Sequence, residues 1–276
     1  MDHRLGRSGQ TFAAAKAEGR GALVGYLPIG FPDVDTSIKA LVALTEGVDG
    51  TGCDVIEIGM PYSDPVMDGP AIQRAGTSAL ERGVRTKDIF RAVEAVAATG
   101  TPALTMTYWN LVERYGVERF CRDFASAGGA GLITPDLTPD EAEEWVACSD
   151  TYGLDRVFLV SPSSGDERIK STVAACRGWV YATAVMGVTG TRTETSDAAP
   201  RLVARVRELA PGLPVGVGLG VSNGEQARSV VEHADAAIVG SAFVKTLLAA
   251  EDAGTPADLT ALREVVADLA QGVRAR

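Results

Sequence analysis

Three carboxylates crowd into one short stretch of this sequence, residues 55–75, which reads VIEIGMPYSDPVMDGPAIQRA. Glu57 interrupts an apolar run that is typical of a buried strand. Asp64 and Asp68 follow it in a loop rich in proline and glycine. A glutamate in low-dielectric surroundings has a raised pKa and can exchange protons near neutral pH. The stretch therefore predicts acid–base chemistry centred on Glu57.

Asp68 is the candidate for the complementary role, because two acids in unlike environments can divide acid and base work. The alternative for Glu57 is structural, as the partner of an arginine or the cap of a helix. Asp64 lies between Ser63 and Pro65 and is also explained as a residue that forms a turn. The pairing of Glu57 with Asp68 is a hypothesis at this level.

A second candidate site lies in two glycine-rich segments nearer the C-terminus. Gly218 and Gly220 would let the backbone approach a ligand closely, and Gly240 precedes Ser241 at the start of a predicted helix. The N–H groups and dipole of a helix N-terminus bind phosphate, and Gly190 in another loop would add an N–H. The alternative is that these glycines only form tight turns. Their position after the last two predicted strands favours a phosphate site.

The sequence disfavours lysine and metal chemistry. Its two histidines, His3 and His233, cannot supply the ligand cluster of a metal-dependent aldolase. A Schiff-base enzyme needs a lysine at the end of a strand. The five lysines all fall in helical or loop-leading stretches: Lys16, Lys39, Lys87, Lys170 and Lys245. What remains is proton transfer by carboxylates, with support from Tyr181, on a substrate that contains its own electron sink.

Eight short apolar runs alternate with longer amphipathic stretches along the chain. The runs are 22–29, 55–59, 103–107, 131–133, 156–160, 179–182, 214–217 and 236–239. This alternation predicts a (β/α)8 TIM barrel, formed as one α/β domain over residues 1–276. A doubly wound open sheet is the competing fold, but eight units without a linker favour closure. An extra N-terminal helix around TFAAAKAEG would close the barrel floor.

In a TIM barrel the catalytic residues lie at the C-terminal ends of the strands. Glu57 falls at the end of the second predicted strand and Tyr108 just after the third. Pro135 and Asp136 follow the fourth, and Tyr181 lies within the sixth. The fold would therefore bring these side chains to the same rim.

The composition indicates a protein of the reducing cytoplasm. A net charge of −10 disfavours nucleic acid and anionic membranes as partners, although backbone N–H groups can still hold a small anion. The first residues lack the apolar core of a signal peptide, and no run approaches the ~18 apolar residues of a membrane span. The four cysteines are scattered without a C-x-x-C pair, as expected of small buried hydrophobes.

The acidic stretch resembles the signature of the tryptophan synthase alpha subunit family, E-(L/I)-G-x-P-(F/Y)-S-D-P-x-x-D-G-P-x-I-Q. The segments GYLPIGFPD, MTYWN, PDL, GVTGTR, GVGLGVSN and IVGSAFVK extend the likeness over nearly the whole chain. The family cleaves indole-3-glycerol phosphate to indole and glyceraldehyde 3-phosphate in a retro-aldol reaction. Protonation of indole C3 creates the electron sink, so that neither lysine nor metal is required. The resemblance implies this lyase activity in L-tryptophan biosynthesis.

The resemblance also implies roles for individual residues. Glu57 would move protons at indole C3 and at the glycerol hydroxyl, Asp68 would face the indole N–H, and Tyr181 would support the site near Glu57. The indole pocket would be lined by Tyr26, Met106 and Tyr108. The phosphate would be held by Thr189, Gly190, Gly220, Gly240 and Ser241.

The sequence departs from the family pattern in the sixth loop and beside Asp68. Many members carry Ser-Arg before the Gly-Val-Thr-Gly of the sixth loop, where Ala184 and Val185 stand here. The resemblance therefore does not extend to any loop-closing contact made by that arginine. Met67 replaces a residue that is usually small beside Asp68 and would narrow the site.

The resemblance implies a protein partner as well. Members form an alpha2beta2 complex that passes indole to a beta subunit carrying pyridoxal phosphate, and no cofactor is expected in this chain. The partner would be contacted by Pro61, Asp64, Asn110 and Pro135. The near alternative is a stand-alone lyase that releases indole. A non-catalytic phosphate-binding barrel would predict replacement of Glu57 or Asp68, and both are present.

Overall fold

The computed structural model describes residues 5–183, 198–218 and 220–275. The strands of this part of the chain are β1 (Ala22–Pro28), β2 (Val55–Gly59), β3 (Ala103–Met106), β4 (Gly131–Ile133), β5 (Asp155–Val157), β6 (Leu159–Val160), β7 (Val180–Thr183), β8 (Val215–Gly218) and β9 (Ala236–Val239). All their pairings are parallel, and they form one sheet in the order β5-β4-β3-β2-β1-β9-β8-β7-β6.

The sheet closes on itself through a divided strand. β5 and β6 lie at opposite ends of the strand order, yet only Phe158 separates them in the chain. Closure is completed where β1 pairs with β9, from Ala22 opposite Ala236 to Gly25 opposite Val239. The predicted run 156–160 is this divided fifth strand, and the predicted TIM barrel is confirmed.

Helices surround the barrel. They are α1 (Gly6–Ala17), α2 (Val34–Glu46), α3 (Pro70–Glu81), α4 (Asp88–Ala97), α5 (Trp109–Tyr115), α6 (Val117–Ser126), α7 (Glu143–Tyr152), α8 (Asp166–Ala175), α9 (Ala198–Leu209), α10 (Gly224–Val231), α11 (Ser241–Asp252) and α12 (Thr260–Arg274), with a short 3-10 turn, Pro139–Glu141, before α7. Among the helices of the described ranges, none is long and apolar enough to cross a membrane.

Side-chain caps and a proline fix the N-termini of several helices. The Asp33 carboxylate accepts the Thr36 N–H at 2.8 Å before α2, and the Asn223 side chain accepts the Gln226 N–H at 2.9 Å before α10. Pro70 occupies the first position of α3, where its missing N–H is not needed. These caps start the helices at the edges of the loops that carry the candidate site.

The strands are buried on both faces, which explains their continuous apolar runs. Along β2, Ile56 and Ile58 pack outward in the shell beneath the helices, whereas Val55 belongs to the interior cluster. Side chains two positions apart share a face of a strand. Glu57 therefore points with Val55 into the barrel interior, where it is 1% exposed.

Helix α1 closes the floor of the barrel, so the predicted extra N-terminal helix is confirmed. Phe12 enters the interior cluster and its ring centroid lies 5.2 Å from that of Trp179. Ser8 donates to the buried Asp155 carboxylate through its N–H at 2.8 Å and its hydroxyl at 2.6 Å. The floor is thus sealed by apolar contact and a buried polar anchor, and the opposite rim is left for chemistry.

Candidate active site

Glu57 lies at the centre of the candidate site. Its strand neighbours are Tyr26 on β1 and Leu104 on β3. Within the described part of the chain, Glu57 Oε2 has no hydrogen-bond donor, which leaves this oxygen available to a ligand. Burial and, secondarily, the Asp68 carboxylate raise the pKa of Glu57 to about 8. The side chain is therefore mainly a protonated acid at neutral pH and can give up that proton within the physiological range.

Asp68 occupies a shallower position in the connection between β2 and α3. It is half-buried, and burial raises the pKa of its carboxyl group, although the environment is less enclosed than that of Glu57. Its charge acts on Glu57, Tyr26 and Tyr108. The structure thus brings the two predicted acids together in unlike environments, as a division of acid and electrostatic roles requires.

Tyrosines enclose the two acids. Burial first, and then the charges of Asp68 and Glu57, raise the pKa of the Tyr26 phenol. Burial and the Glu57 charge likewise raise the pKa of Tyr181, whose ring stacks on Trp179 at a centroid distance of 5.8 Å. Both phenols consequently stay neutral at physiological pH and can donate hydrogen bonds without adding charge.

Glycines on the strands make room for these phenols. A Cβ added to Gly59 would lie 2.2 Å from the Tyr26 hydroxyl oxygen, and one added to Gly218 would lie 2.3 Å from that of Tyr181. The sequence suggested that Gly218 admits a ligand to the backbone. In the structure the same glycine accommodates a tyrosine of the neighbouring strand, which a single sequence does not reveal.

The loop after β3 packs against the loop after β2, which carries Asp68. Tyr108 is 6% exposed, and its hydroxyl accepts the N–H groups of Val66 at 2.9 Å and Met67 at 3.3 Å. Its ring stacks on Tyr62 at a centroid distance of 4.5 Å. Neither these contacts nor Tyr62 itself could be identified from the sequence, because the two segments are about forty residues apart along the chain.

The predicted phosphate end is formed by the start of α11. Gly240 precedes this helix and supplies no side-chain cap, so the N–H groups of the first turn remain for an anion. A Cβ on Gly240 would lie 3.1 Å from Tyr26 Cδ1, which connects this end to the tyrosine enclosure. Gly220 has a φ of 68° and open space where a side chain would be. Thr189 and Gly190, like Ala184 and Val185, lie outside the described residues.

The residues predicted to meet a partner occupy the same rim. Asp64 and Asn110 are exposed, Pro135 is half-buried and Pro61 is buried. The Ser63 hydroxyl donates to the Asp64 carboxylate at 2.6 Å, which is the local turn contact expected of this sequence.

This rim also has two exposed apolar side chains. Val66 is 76% exposed and Met67 is 37% exposed. An uncovered apolar pair beside the exposed Asp64 makes this loop suited to contact another protein.

Comparison with known proteins gives one consistent result. A family model described as tryptophan synthase alpha chain matches residues 12–274. A tryptophan synthase alpha chain from Salinispora tropica is 61% identical over 270 residues, 98% of this chain and 98% of that one. One from Mycobacterium avium is 56% identical over 270 residues, 98% of this chain and 95% of that one. The likeness therefore extends well beyond the acidic stretch.

Solved structures agree with the sequence comparisons. A chain of Mycobacterium tuberculosis tryptophan synthase has a TM-score of 0.89 and 52% identity, with 98% of each chain covered. A chain of the tryptophan synthase a2b2 complex from the hyperthermophile Pyrococcus furiosus has a TM-score of 0.81 and 33% identity, covering 91% of this chain and 98% of that one. The barrel fold thus has close structural counterparts.

Proposed function

Because the chain belongs to the tryptophan synthase alpha chain family, we propose that its buried Glu57 is the acid–base group of the family's lyase reaction. The chain acts in tryptophan biosynthesis as a carbon–carbon lyase, which cleaves indole-3-glycerol phosphate to indole and glyceraldehyde 3-phosphate. The observation that carries the proposal is the burial of Glu57, whose Oε2 has no hydrogen-bond donor within the described part of the chain and whose pKa this burial raises to about 8. An ordinary glutamate would hold no proton to donate at neutral pH.

Glu57 can serve both proton transfers of the cleavage. As a protonated acid it gives its proton to indole C3, and the ring becomes an indolenine whose C=N bond is the electron sink. The carboxylate then removes the proton of the glycerol hydroxyl next to C3. The C–C bond breaks, its electron pair returns to the ring, and the hydroxyl carbon becomes the aldehyde. Glu57 ends the sequence protonated again.

Asp68 would act on charge rather than on protons. In the first step the indole nitrogen gains positive charge, and a carboxylate facing its N–H stabilises that charge. The half-buried position of Asp68 and its electrostatic contact with Glu57 support this role. The carboxylate also helps to hold the Glu57 pKa high, so the two acids have linked functions.

The enclosure would orient the substrate between these acids. Tyr26, Met106 and Tyr108 would line the indole pocket, and Tyr181 would support Glu57 from β7. Gly220, Gly240 and Ser241 would hold the phosphate, with the α11 N-terminus as the main anion site. The contact between Gly240 and Tyr26 supports a single cavity that accommodates both ends of the substrate.

We also propose that the chain works with a beta subunit in an alpha2beta2 complex. The exposed rim formed by Asp64, Asn110, Pro135 and the loop after Pro61 would contact it. Pyridoxal phosphate would belong to that partner, and the alpha reaction as derived needs no cofactor of this chain. The named structure from Pyrococcus furiosus is such a complex of its own chains.

The test replaces Glu57 by Gln, which preserves size but cannot exchange a proton. Loss of a general acid–base group costs ~10²–10⁴-fold, so we expect cleavage to fall by at least that range while glycerol phosphate still binds. The matched control is Glu94→Gln on the exposed face of α4, which should retain full turnover. Turnover of the Glu57 variant within about tenfold of wild type would refute the assignment.

Indole release by the wild-type chain, with and without beta subunit, separates the remaining alternatives. Cleavage that rises on addition of the beta subunit supports the proposed complex. Full cleavage that the beta subunit leaves unchanged would indicate a stand-alone lyase. No cleavage under either condition would indicate a non-catalytic barrel.

A further inference from the structure

The segment just before Asp68 is held by its backbone rather than by its side chains. Val66 and Met67, just before Asp68, are exposed and contribute little apolar packing. Their N–H groups donate instead to one atom, the hydroxyl oxygen of Tyr108, at 2.9 and 3.3 Å. A phenol oxygen that accepts two consecutive N–H groups fixes both the position and the rotation of that segment.

Two further contacts complete this attachment. The ring of Tyr62, from the start of the same loop, stacks on Tyr108 with an interplanar angle of 25°. On the other side, Gln73 Nε2 in α3 donates to the Asp68 carbonyl oxygen at 2.7 Å. The backbone at Asp68 is thus held between the loop after β3 and α3, and these contacts do not use its carboxylate.

Tyr108 is itself held firmly enough to act as a reference point. It is nearly buried, and its carbonyl oxygen accepts the Thr107 hydroxyl at 3.1 Å. The next residue, Trp109, begins α5 and donates its N–H to both oxygens of Asp136 at 3.0 and 3.1 Å. A charged acceptor on a helix N-terminus makes a strong hydrogen bond and favours the start of the helix. The loop after β4 therefore holds the loop after β3, which in turn holds the loop after β2.

We propose that the Tyr108 hydroxyl is a positioning group that sets the Asp68 carboxylate at the indole N–H, with Asp136 as its anchor. The proposal rests on the proposed role of Asp68 and adds to the pocket-lining role of the Tyr108 ring. Small displacements of a charged group weaken the stabilisation of a transition state steeply. The hydroxyl therefore contributes to turnover without touching the substrate.

The test is Tyr108→Phe, which keeps the ring and its stacking on Tyr62 but removes the acceptor of the two N–H groups. We expect kcat to fall about tenfold, the size expected when one or two neutral hydrogen bonds are lost, with KM changed less than about twofold. Amide exchange of Val66 and Met67 should accelerate. The matched control is Tyr115→Phe at the end of α5, whose hydroxyl donates to Asp123 at 2.7 Å and which should keep normal kinetics.

A double-mutant cycle with Asp68→Asn identifies the route of the effect. If Tyr108 acts through Asp68, Tyr108→Phe should change kcat little in the Asp68→Asn background. Equal effects in both backgrounds would overturn the proposal, as would an unchanged kcat in Tyr108→Phe alone. If Asp68→Asn itself retained full turnover, the proposed role of Asp68 would fail, which is a separate and recognisable outcome.

Discussion

Replacing Glu57 by Gln should stabilise the fold, and increasingly so as the pH rises. In the unfolded chain this acid ionises near 4.5, whereas in the folded chain burial raises its pKa to about 8. Between these values the folded state binds more protons than the unfolded state, so the wild type loses stability as the pH increases. A glutamine does not titrate and removes this dependence.

The magnitude follows from the size of the pKa shift. A difference of about 3.5 pH units at ~1.4 kcal/mol per unit gives a stability gap between variant and wild type that grows by roughly 5 kcal/mol from pH 4.5 to above pH 8. Above pH 8 the gap should level off, because the acid is then ionised in both states. Titrating groups that do not interact with Glu57 are common to the two proteins and cancel in the comparison.

Urea unfolding at intervals from pH 5 to pH 9 would measure both free energies of unfolding. The control is again Glu94→Gln, in which the same chemical change occurs in contact with water. Curves for wild type and the Glu57 variant that remain parallel over this range would contradict the raised pKa and, with it, the reason for assigning Glu57 as a proton donor.

Three further outcomes are expected. Ser241→Asp places a carboxylate at the start of α11 and should weaken glycerol phosphate binding by at least about tenfold, with indole binding unchanged. Separate titrations of the two ligands would measure this, and equal losses for both would contradict the phosphate site. Asp64→Ala should leave the isolated chain's cleavage intact but lower its stimulation by the beta subunit, and full stimulation at saturation would exclude Asp64 from coupling. Ser8→Ala removes a 2.6 Å hydrogen bond to buried Asp155 and should lower the free energy of unfolding by ~1–3 kcal/mol, while the kinetics of cleavage stay normal. Unchanged stability would show that the hydroxyl does not secure α1.

The barrel could be predicted because its strands are short apolar runs that are easily recognised in the sequence. Strands 55–59, 131–133 and 236–239 match the predicted runs at both ends. The fifth run reads as one strand, but the chain divides it at Phe158. The predicted alternation has one amphipathic stretch between neighbouring runs, so it does not distinguish α3 from α4 or α5 from α6. α3 follows a loop signature and contains Gly76, and α5 has only seven residues, too few to display a helical period.

The candidate site was predictable only in part. An acid within a short apolar run can be recognised in the sequence, so the local pattern alone places Glu57 in a buried strand. The sequence puts it at the end of that strand, whereas the structure places it at the middle of β2. The contacts that tune the site join distant segments, such as Gly218 with Tyr181 and Tyr108 with the loop at Val66. Such pairings depend on strand register and loop packing, which no local pattern specifies.

The anchoring of α1 has a consequence for the order in which a ribosome can complete this molecule. Ser8 leaves the ribosome early, but its partner Asp155 follows 147 residues later. At ~5–20 residues per second, that interval is about 7–30 seconds. Throughout it Phe12 has no Trp179 to pack against, so the first helix to be synthesised is among the last to dock. Synthesis from the N-terminus therefore leaves the floor of the barrel open until most of its strands have been made.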